Sequence, residues 1–312
     1  MCEAIADVGY DVILLYPVKK QMMEKNVNNI YKFYNVKNNF KFLKLPWYKI
    51  KLKTFIYAFQ CFLQIRKLKP DIIYSRFIIG SILPLFFQFK LIFELHAPIW
   101  ESSLNNKILF NIILKSNYLD RLVFISHSLK NYFLNKFSHN YKMLKVAHDG
   151  AAVNFEKEKN SEIKWPGRSD CLQVGYIGNL YKGKGMEIIS LLVDKLPDYD
   201  FHIIGGQVED IEKWKAVLKN ENIYFHGFKL QVQIPYYLEL LDVCLLPNQV
   251  KVFTHGSNAN KKAVDIGQFT SPLKLFEYMS AEKVIVASDI EVIREVLNDK
   301  NAILVDPSSI AE

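Results

Sequence analysis

The sequence has few cysteines, and their spacing suggests no shared role. Cys2, Cys61, Cys171 and Cys244 are widely separated, with no C-x-x-C pair and no nearby histidine ligands. This spacing argues against a disulfide framework and against a zinc site, and it fits a reducing compartment. We therefore expect a cytoplasmic protein that folds without disulfides and without a structural metal.

Long apolar runs are also missing. The most membrane-like stretch, residues 77–93, is interrupted by Pro84, Gln88 and Lys90. A membrane-spanning helix needs about 20 predominantly apolar residues, so this stretch does not qualify. Residues 1–8 lack the basic start and the apolar core of a signal peptide. The better interpretation of residues 77–93 is a helix followed by a buried strand.

Acidic residues are scarce in one segment. Between Lys19 and Lys69, thirteen Lys or Arg side chains stand against one acid, Glu24, and the net charge of the chain is +8. Nucleic acid, an anionic membrane surface or an acidic substrate would each explain this excess, and so would a general bias of the composition towards Lys, Asn, Ile, Phe and Tyr. Because Tyr, Phe and Trp47 are interleaved with the lysines, we predict contact with the inner face of an anionic membrane and no nucleic-acid partner.

What the sequence does contain is a regular alternation of short apolar runs with amphipathic stretches. Its 312 residues, half of them hydrophobic, suit two folded domains of about 150 residues each. The alternation is typical of parallel β/α units, and it predicts two doubly wound α/β domains in tandem. The predicted strands are 11–17, 40–45, 71–75, 90–96, 121–126, 172–178, 200–206, 222–228, 242–247, 283–289 and 301–307, and the clearest helices are 52–67 and 102–117.

A charged segment, residues 154–170, separates the two predicted domains. It contains Pro166 and Gly167 and few apolar residues, so we interpret it as a linker between an N-terminal domain (1–153) and a C-terminal domain (171–312). The first domain has no opening strand before its first helix, and the last strand has no covering helix. The sequence therefore reads as truncated at both ends.

The stretch GYIGNLYKGKG, residues 175–185, resembles a phosphate-binding loop. From Gly178 to Lys184 it spells G-x-x-x-x-G-K, but Gly185 stands where the P-loop of ATPases needs Ser or Thr to ligate magnesium. The dinucleotide-binding fingerprint G-x-G-x-x-G is absent too. The glycines still allow close approach of a ligand, and we expect Lys184, on an exposed loop, to place a positive charge near a diphosphate.

Residues 270–289 contain a second candidate anion site. Ser271 is a good N-cap and Pro272 is favoured at the first helical position, so a helix is predicted to begin there. The N-terminus of that helix and Lys274 together attract an anion, and Glu277 lies one turn further on roughly the same side. A carboxylate there suits the diol of a ribose, which indicates a nucleotide site; an ordinary surface Lys–Glu pair is the alternative.

These motifs, in this order, resemble glycosyltransferase family four, whose members are retaining enzymes of the GT-B fold. The second half carries the more specific motifs: VGYIGNLYKGKG, FHIIGG, IYFHGF and SPLKLFEYMSAEKVIVASD. The first half carries PDIIYSRF, FELHAP, LVFISHSLKNYF and VAHDGAAVNF, which are similar to the acceptor domain of that family. The resemblance covers nearly the whole chain and implies two Rossmann-like, doubly wound domains facing each other across a cleft.

The resemblance also implies which residues bind the donor. Lys184 would hold the diphosphate, Glu277 the ribose, and Phe228 would contact the base. Asn179 stands where the family often has Arg as a second phosphate contact, so that role is weakened here. The positions assigned to donor binding are Gly178, Asn179, Lys184, Phe228, Ser271, Leu273, Lys274 and Glu277.

On the acceptor side the resemblance assigns His96, which would line the cleft near the transferred sugar. His96, Lys184 and Glu277 are therefore the predicted catalytic residues. The family pairs its second glutamate with another one eight positions earlier, where this chain has Phe269, and this puts the sugar contacts in doubt. His202 and His226 lie in predicted strands, so we expect them in the core or at its rim.

The function implied is transfer of a sugar from a nucleotide diphosphate sugar to an acceptor hydroxyl with retention of configuration. The expected setting is synthesis of a cell-surface polysaccharide or glycolipid, with a carbohydrate or a lipid-linked saccharide as acceptor. No cofactor and no metal are expected. The alternatives are a GT-B sugar-nucleotide epimerase or phosphorylase, and a nucleotide-sugar-binding module that has lost turnover.

Overall fold

The computed structural model describes most of the chain, in two compact units. The described residues are 1–18, 27, 29–137, 143–152, 165–251, 267–269 and 271–308. The first unit comprises Met1–Ile125 and Lys130–Ala147, and the second comprises Ser126–Leu129 and His148–Glu312. Most of the predicted linker lies outside the described residues, as do Glu24 and the start of the basic segment.

The first unit contains two parallel sheets. Strands β1 (Ile13–Val18) and β2 (Lys41–Pro46) pair with each other. Strands β3 (Ile73–Ser75), β4 (Leu91–Leu95), β5 (Leu119–Phe124) and β6 (Leu144–Val146) form a second sheet in that order. Parallel strands with helices between them confirm the predicted α/β class for this half of the chain.

The helices up to residue 147 follow the apolar periodicity of the sequence. They are α1 (Cys2–Asp7), α2 (Ile30–Tyr34), α3 (Lys53–Leu68), α4 (Ile78–Phe86), α5 (Leu104–Lys115) and α6 (His127–Lys136). The expectation of a helix followed by a buried strand over residues 77–93 is thus confirmed. Among the residues described, no helix combines the length and the apolar character needed to cross a membrane.

The core of the first unit is aromatic. Leu91, Phe93 and Phe124 in the four-stranded sheet are inaccessible to solvent. The ring of Phe110 on α5 stacks on that of Trp100, with centroids 5.2 Å apart. Such ring pairs add stability beyond the area they bury, so this contact fixes α5 against the segment that contains Trp100.

The second unit contains one six-stranded parallel sheet. Its strands are β7 (Gln173–Ile177), β8 (Asp200–Ile204), β9 (Ile223–Gly227), β10 (Val243–Leu246), β11 (Val284–Ser288) and β12 (Ile303–Val305). The order across the sheet is β12-β11-β10-β7-β8-β9. The chain runs outwards from β7 to β9, then returns to the other side of β7 and continues outwards from β10. The switch point lies between β7 and β10, where doubly wound sheets bind ligands at the carboxyl ends of their strands.

Helices connect these strands. They are α7 (Met186–Lys195), α8 (Val208–Val217), α9 (Ile234–Glu239), α10 (Leu273–Ser280) and α11 (Glu291–Arg294). All eleven predicted strands are present, with ends shifted by at most two residues. Strand β6 was not predicted, because Lys145 at its centre interrupts the apolar run.

Aromatic and imidazole rings anchor residues 165–168 to the second unit. The Trp165 ring stacks on that of His202, with centroids 4.1 Å apart, and its Nε1 donates to Gln173 Oε1 at 3.0 Å. The same Gln173 oxygen accepts from His202 Nε2 at 2.7 Å. Therefore His202 Nδ1 carries no proton and accepts from His226 Nε2 at 3.0 Å. Beside them Arg168 forms an ion pair with the buried Asp200, 2.8 Å between Nη2 and Oδ1.

Stability of the second unit is expected to fall in mild acid. Burial lowers the pKa of both His202 and His226, and both rings are neutral in the hydrogen-bonded pair. The unfolded chain takes up these protons near pH 6.5, so stability present above that pH is lost as the pH falls below it. Urea unfolding between about pH 7.5 and about pH 5 should show this decline, and His226→Gln should show a shallower one. Equal slopes for the two proteins would contradict the assignment.

Candidate functional site

The glycine-rich loop lies between β7 and α7, at the carboxyl edge of the second sheet. Its first glycine, Gly178, donates its backbone N–H to Ile204 O at 2.9 Å. Gly185 has φ +105°, and a Cβ there would lie 2.3 Å from Pro247 Cγ and 2.4 Å from Pro247 O. Because Pro247 follows β10, the end of the loop is packed directly on the neighbouring strand. This close packing explains why Gly, and not the Ser or Thr of a P-loop, occupies position 185.

Lys184 is less exposed than the sequence suggested. The expectation of an exposed lysine was wrong: the side chain is half-buried, and burial lowers the pKa of its amine. Its Nζ lies 5.5 Å from the centroid of the Tyr181 ring. A partly dehydrated ammonium on a loop beside a helix N-terminus interacts strongly with an anion, because water screens it little.

Lys274 is the most unusual residue of the site. Its Nζ is buried and has no hydrogen-bond partner within the part of the chain that the structure describes. It lies 4.0 Å from the centroid of the Tyr176 ring. Burial, and then the charge of Lys184, hold the pKa of Lys274 well below its usual range, while Glu277 opposes them. The two amines are thus near enough for their charges to repel each other.

Glu277 lies one turn after Lys274 on α10. Its Oε1 accepts a hydrogen bond from Gln231 Nε2 at 2.8 Å. Burial raises the pKa of Glu277, and the Gln231 bond and Lys274 partly offset this. Gln231 belongs to a short 3₁₀ turn after β9 and lies 46 positions away in sequence, so no local pattern could have predicted it.

Other predicted donor residues lie at the same edge, with one correction. The prediction that Ser271 caps the helix was wrong: the cap position is Pro272, and Ser271 Oγ accepts from the backbone N–H of Asp149 at 3.1 Å. Leu273 is 56% exposed at the first turn of α10. Phe228, directly after β9, is 52% exposed and available to a planar base.

Two further positions of the second unit were singled out from the sequence: Asn179 as a predicted donor residue and Phe269 in place of a glutamate. The Asn179 side chain is exposed, and its backbone carbonyl accepts from the Tyr176 hydroxyl at 2.7 Å. Phe269 is buried, 7% exposed, so this position presents an apolar side chain to its surroundings. The loop with His255, before Ser271, lies outside the described residues.

In the first unit, His96 is held by a buried carboxylate. His96 Nε2 lies 3.1 Å from Glu94 Oε1, and Arg76 Nε donates to Glu94 Oε2 at 2.7 Å. Burial alone would raise the pKa of Glu94, but the hydrogen bonds from His96 and Arg76 outweigh it and lower the pKa to about 2. An ionised Glu94 accepts the Nε2 proton, so in the neutral ring Nδ1 is the nitrogen that can accept a hydrogen bond.

The sequence contained a signal for this arrangement. In FELHAP, Glu94 and His96 stand two positions apart at the end of a strand, so their side chains point to the same face. Arg76 follows β3, the neighbour of β4, which places it at the same edge of the sheet. Sequence reasoning singled out His96 and missed both of its supporting residues.

The fold and the site define a class of protein. The second unit is a doubly wound domain with Lys184, Lys274 and Glu277 at the carboxyl edge of its sheet. Residues 172–312 match the model of the family described as Glycosyl transferases group 1. The matched part is less than half of the chain and lies wholly within the second unit.

Solved structures agree on the fold. HepE from Anabaena in complex with UDP-glucose is 16% identical with a TM-score of 0.65, over 96% of this chain and 86% of that one. Sucrose-phosphate synthase from Thermosynechococcus elongatus is 13% identical with a TM-score of 0.68, over 99% of this chain and 79% of that one. A glycosyltransferase from Rickettsia africae is 13% identical with a TM-score of 0.64, over 99% of this chain and 79% of that one. Among proteins with curated descriptions, none matches the sequence.

Replacing Gly185 should destabilise the second unit. Gly185→Ala places a methyl group into the Pro247 backbone and strains a positive φ, so we expect a loss of about 1–3 kcal/mol from overpacking in addition to the strain. Gly227→Ala is the matched control in the same unit: its φ is +70°, and the added Cβ would meet only Ile211 Cδ1 at 4.0 Å. Urea unfolding of both variants measures the difference. Equal losses would show that Pro247 leaves room for a side chain.

Proposed function

We propose that the chain is a retaining glycosyltransferase of family four that transfers a sugar from a nucleotide diphosphate sugar to an acceptor hydroxyl. The observation that carries this proposal is the buried Nζ of Lys274, which has no hydrogen-bond partner among the described residues. An unpaired buried charge is costly, so such a position is stable when an anion supplies the missing partner. The diphosphate of a donor is an anion that carries enough negative charge to interact with both Lys184 and Lys274.

The same arrangement supplies the catalysis that this reaction needs. Departure of the nucleoside diphosphate develops negative charge on its phosphate oxygens. Lys184, Lys274 and the N-termini of α7 and α10 provide positive charge that is already in place, which stabilises the transition state without reorganisation. We propose metal-independent transfer, because these groups do the work that a divalent cation does elsewhere.

Recognition of the nucleoside follows from Glu277 and Phe228. The Gln231 hydrogen bond occupies one oxygen of Glu277 and orients the carboxylate, whose other oxygen can accept from a ribose hydroxyl. The exposed Phe228 offers a face on which a base can stack. Since HepE was crystallised with UDP-glucose, a uridine diphosphate sugar is the first donor to test.

His96 is proposed to act on the side of the acceptor and the transferred sugar. With Nε2 donating to Glu94, the Nδ1 atom can accept a hydrogen bond from a sugar hydroxyl. The Arg76–Glu94 pair fixes the ring without using this nitrogen. A carbohydrate or lipid-linked saccharide acceptor fits this chemistry, and we propose a role in cell-surface polysaccharide or glycolipid synthesis.

One observation favours a second candidate function. Phe269 is buried where the family has the first of its paired glutamates, and an apolar side chain cannot contact the sugar as a carboxylate does. A nucleotide-sugar-binding module without turnover would tolerate this. An epimerase or phosphorylase of the same fold is distinguished by its products, since an epimerase forms its products without a sugar acceptor.

The decisive experiment compares Lys184→Ala with Lys182→Ala. Both lysines belong to the same loop, but Lys182 is exposed and is assigned no part in binding. Loss of one anion-stabilising group costs about 10²-fold or more in turnover, so Lys184→Ala should lose that much. Lys182→Ala should keep wild-type turnover, measured as release of UDP and transfer of labelled sugar. Donor binding without any turnover in the wild type would favour the binding module, and an unimpaired Lys184→Ala would exclude the diphosphate assignment.

We also propose that the enzyme works at an anionic membrane surface through α3. Four exposed residues, which we call the α3 apolar stripe, lie along one side of this helix and its N-cap: Leu52, Phe55, Phe59 and Leu63 are 63%, 59%, 51% and 48% exposed. Their spacing of three and four positions puts them on one face. The opposite face is buried and comprises Tyr57, Ala58, Cys61, Phe62 and Ile65.

Basic residues flank the stripe. Those that are exposed are Lys49, Lys51, Lys53, Arg66, Lys67 and Lys69. A helix that lies in a membrane interface has this combination of an apolar face and adjoining cations. Each Lys or Arg close to an anionic surface contributes about 1 kcal/mol, so a few of these side chains suffice to hold the protein there.

Binding should depend on both the stripe and the lipid charge. Wild type should co-sediment with phosphatidylcholine vesicles that contain phosphatidylglycerol, and high salt should weaken the binding. A Phe55→Ser, Phe59→Ser variant should lose most of it. Leu104→Ser with Ile108→Ser is the matched control, since these two are an equally spaced exposed pair on α5. Two results would contradict membrane binding through the α3 apolar stripe. One is wild type that binds neutral vesicles but not anionic ones, and the other is an equal loss of vesicle binding in both double variants.

A further inference from the structure

Tyr176 contacts both parts of the diphosphate site. It lies on β7, and its side chain is almost completely buried. On one side, its ring lies under the Lys274 Nζ at 4.0 Å from the centroid. On the other, its hydroxyl donates to the Asn179 carbonyl at 2.7 Å, in the loop that carries Lys184. One buried side chain thus connects α10 to the glycine-rich loop.

The Tyr176 ring is important because the other surroundings of the Lys274 Nζ disfavour a positive charge. Its ammonium is dehydrated, has no hydrogen-bond acceptor among the described residues, and is repelled by Lys184. The face of an aromatic ring carries the negative lobe of its quadrupole and attracts a cation, most strongly where water is excluded. The Tyr176 ring is thus the group in contact with Nζ that favours a charged lysine before a donor arrives.

The hydroxyl contributes a second constraint. Asn179 directly follows Gly178, which has a φ of +152°, a conformation that residues with a side chain rarely adopt. A hydrogen bond from a fully buried hydroxyl to the Asn179 carbonyl fixes the turn from below. The position of the start of the glycine-rich loop is therefore fixed by Tyr176, whose ring also contacts Lys274.

We propose that Tyr176 is a positioning residue for the donor diphosphate, holding the Lys274 ammonium with its ring and the glycine-rich loop with its hydroxyl. This inference rests on the proposed function, because it assigns Tyr176 a role at the same site. Tyr176 itself does not touch the donor: it acts through Lys274 and through the backbone at Asn179. Its effect should therefore be confined to ligands that carry the phosphates.

The test compares Tyr176→Phe with Tyr176→Leu, using UDP and uridine as probes. Phe keeps the ring and removes only the hydroxyl, whereas Leu removes both. The dissociation constant of UDP should rise about tenfold or more in Tyr176→Leu, as expected for a lost cation–π contact in a dehydrated site, and clearly less in Tyr176→Phe. The affinity for uridine, followed by ligand-observed NMR, should stay at the wild-type level in both.

The outcomes separate this inference from the proposed function. If wild type binds neither UDP nor another nucleoside diphosphate, the proposed function fails. If wild type binds UDP but Tyr176→Leu loses UDP and uridine affinity equally, Tyr176 is only a core residue and the inference fails. An unchanged UDP affinity in Tyr176→Leu overturns it as well. Should Tyr176→Leu not fold, Tyr176→Met, which fills more of the volume, replaces it with the same expected results.

Discussion

The parallel pairing of β7 with β10 is the constraint on which the proposed donor site depends. Val243 pairs with Val174 and Cys244 with Gly175, so two strands that are distant in sequence end side by side. Gly175 makes this possible locally, since a Cβ there would lie 2.1 Å from Leu241 Cδ1. The loop after β7 then meets the residue after β10, and Gly185 packs on Pro247. Without this pairing, the glycine-rich loop would have no surface against which to be held.

The site built on this edge is held by buried groups whose charges are incompletely matched. Two amines whose pKa values are lowered converge beside one carboxylate whose pKa is raised, and burial is the first cause of all three shifts. Sites that stabilise transferring phosphates need charge that is fixed in place and little hydrated. The cost is borne by the folded chain before any ligand binds. Packing elsewhere in the unit, such as the buried clusters on both faces of the sheet, offsets it.

The sequence predicted what depends on neighbouring residues and missed what depends on distant ones. Eleven strands were predictable, because an apolar run closed by Gly, Pro or Asp is a local pattern. The loop from Gly178 to Lys184 and the pair Lys274 and Glu277 were predictable because each stands within one turn or one loop. Gln231 was not, since its bond to Glu277 crosses from β9 to α10, and neither was the support that Arg76 gives to Glu94.

The two wrong predictions have the same origin. Ser271 has the right residue type for an N-cap, but the Asp149 backbone uses its oxygen, so the helix begins at Leu273. Lys184 was expected to be exposed because loops generally are, and packing of the loop on the strand ends buries part of it. In both cases a contact from another part of the second unit overrides a local preference.

The stack of Trp165 on His202 has a practical meaning for anyone who wishes to produce the second unit alone. A gene fragment that starts at Cys171, where the strand pattern begins, would remove Trp165 and Arg168. It would uncover His202, which is now inaccessible to solvent, and leave the Asp200 carboxylate without its guanidinium partner. A fragment that starts ahead of Trp165 retains both contacts and takes with it a tryptophan whose fluorescence reports whether the sheet edge is intact.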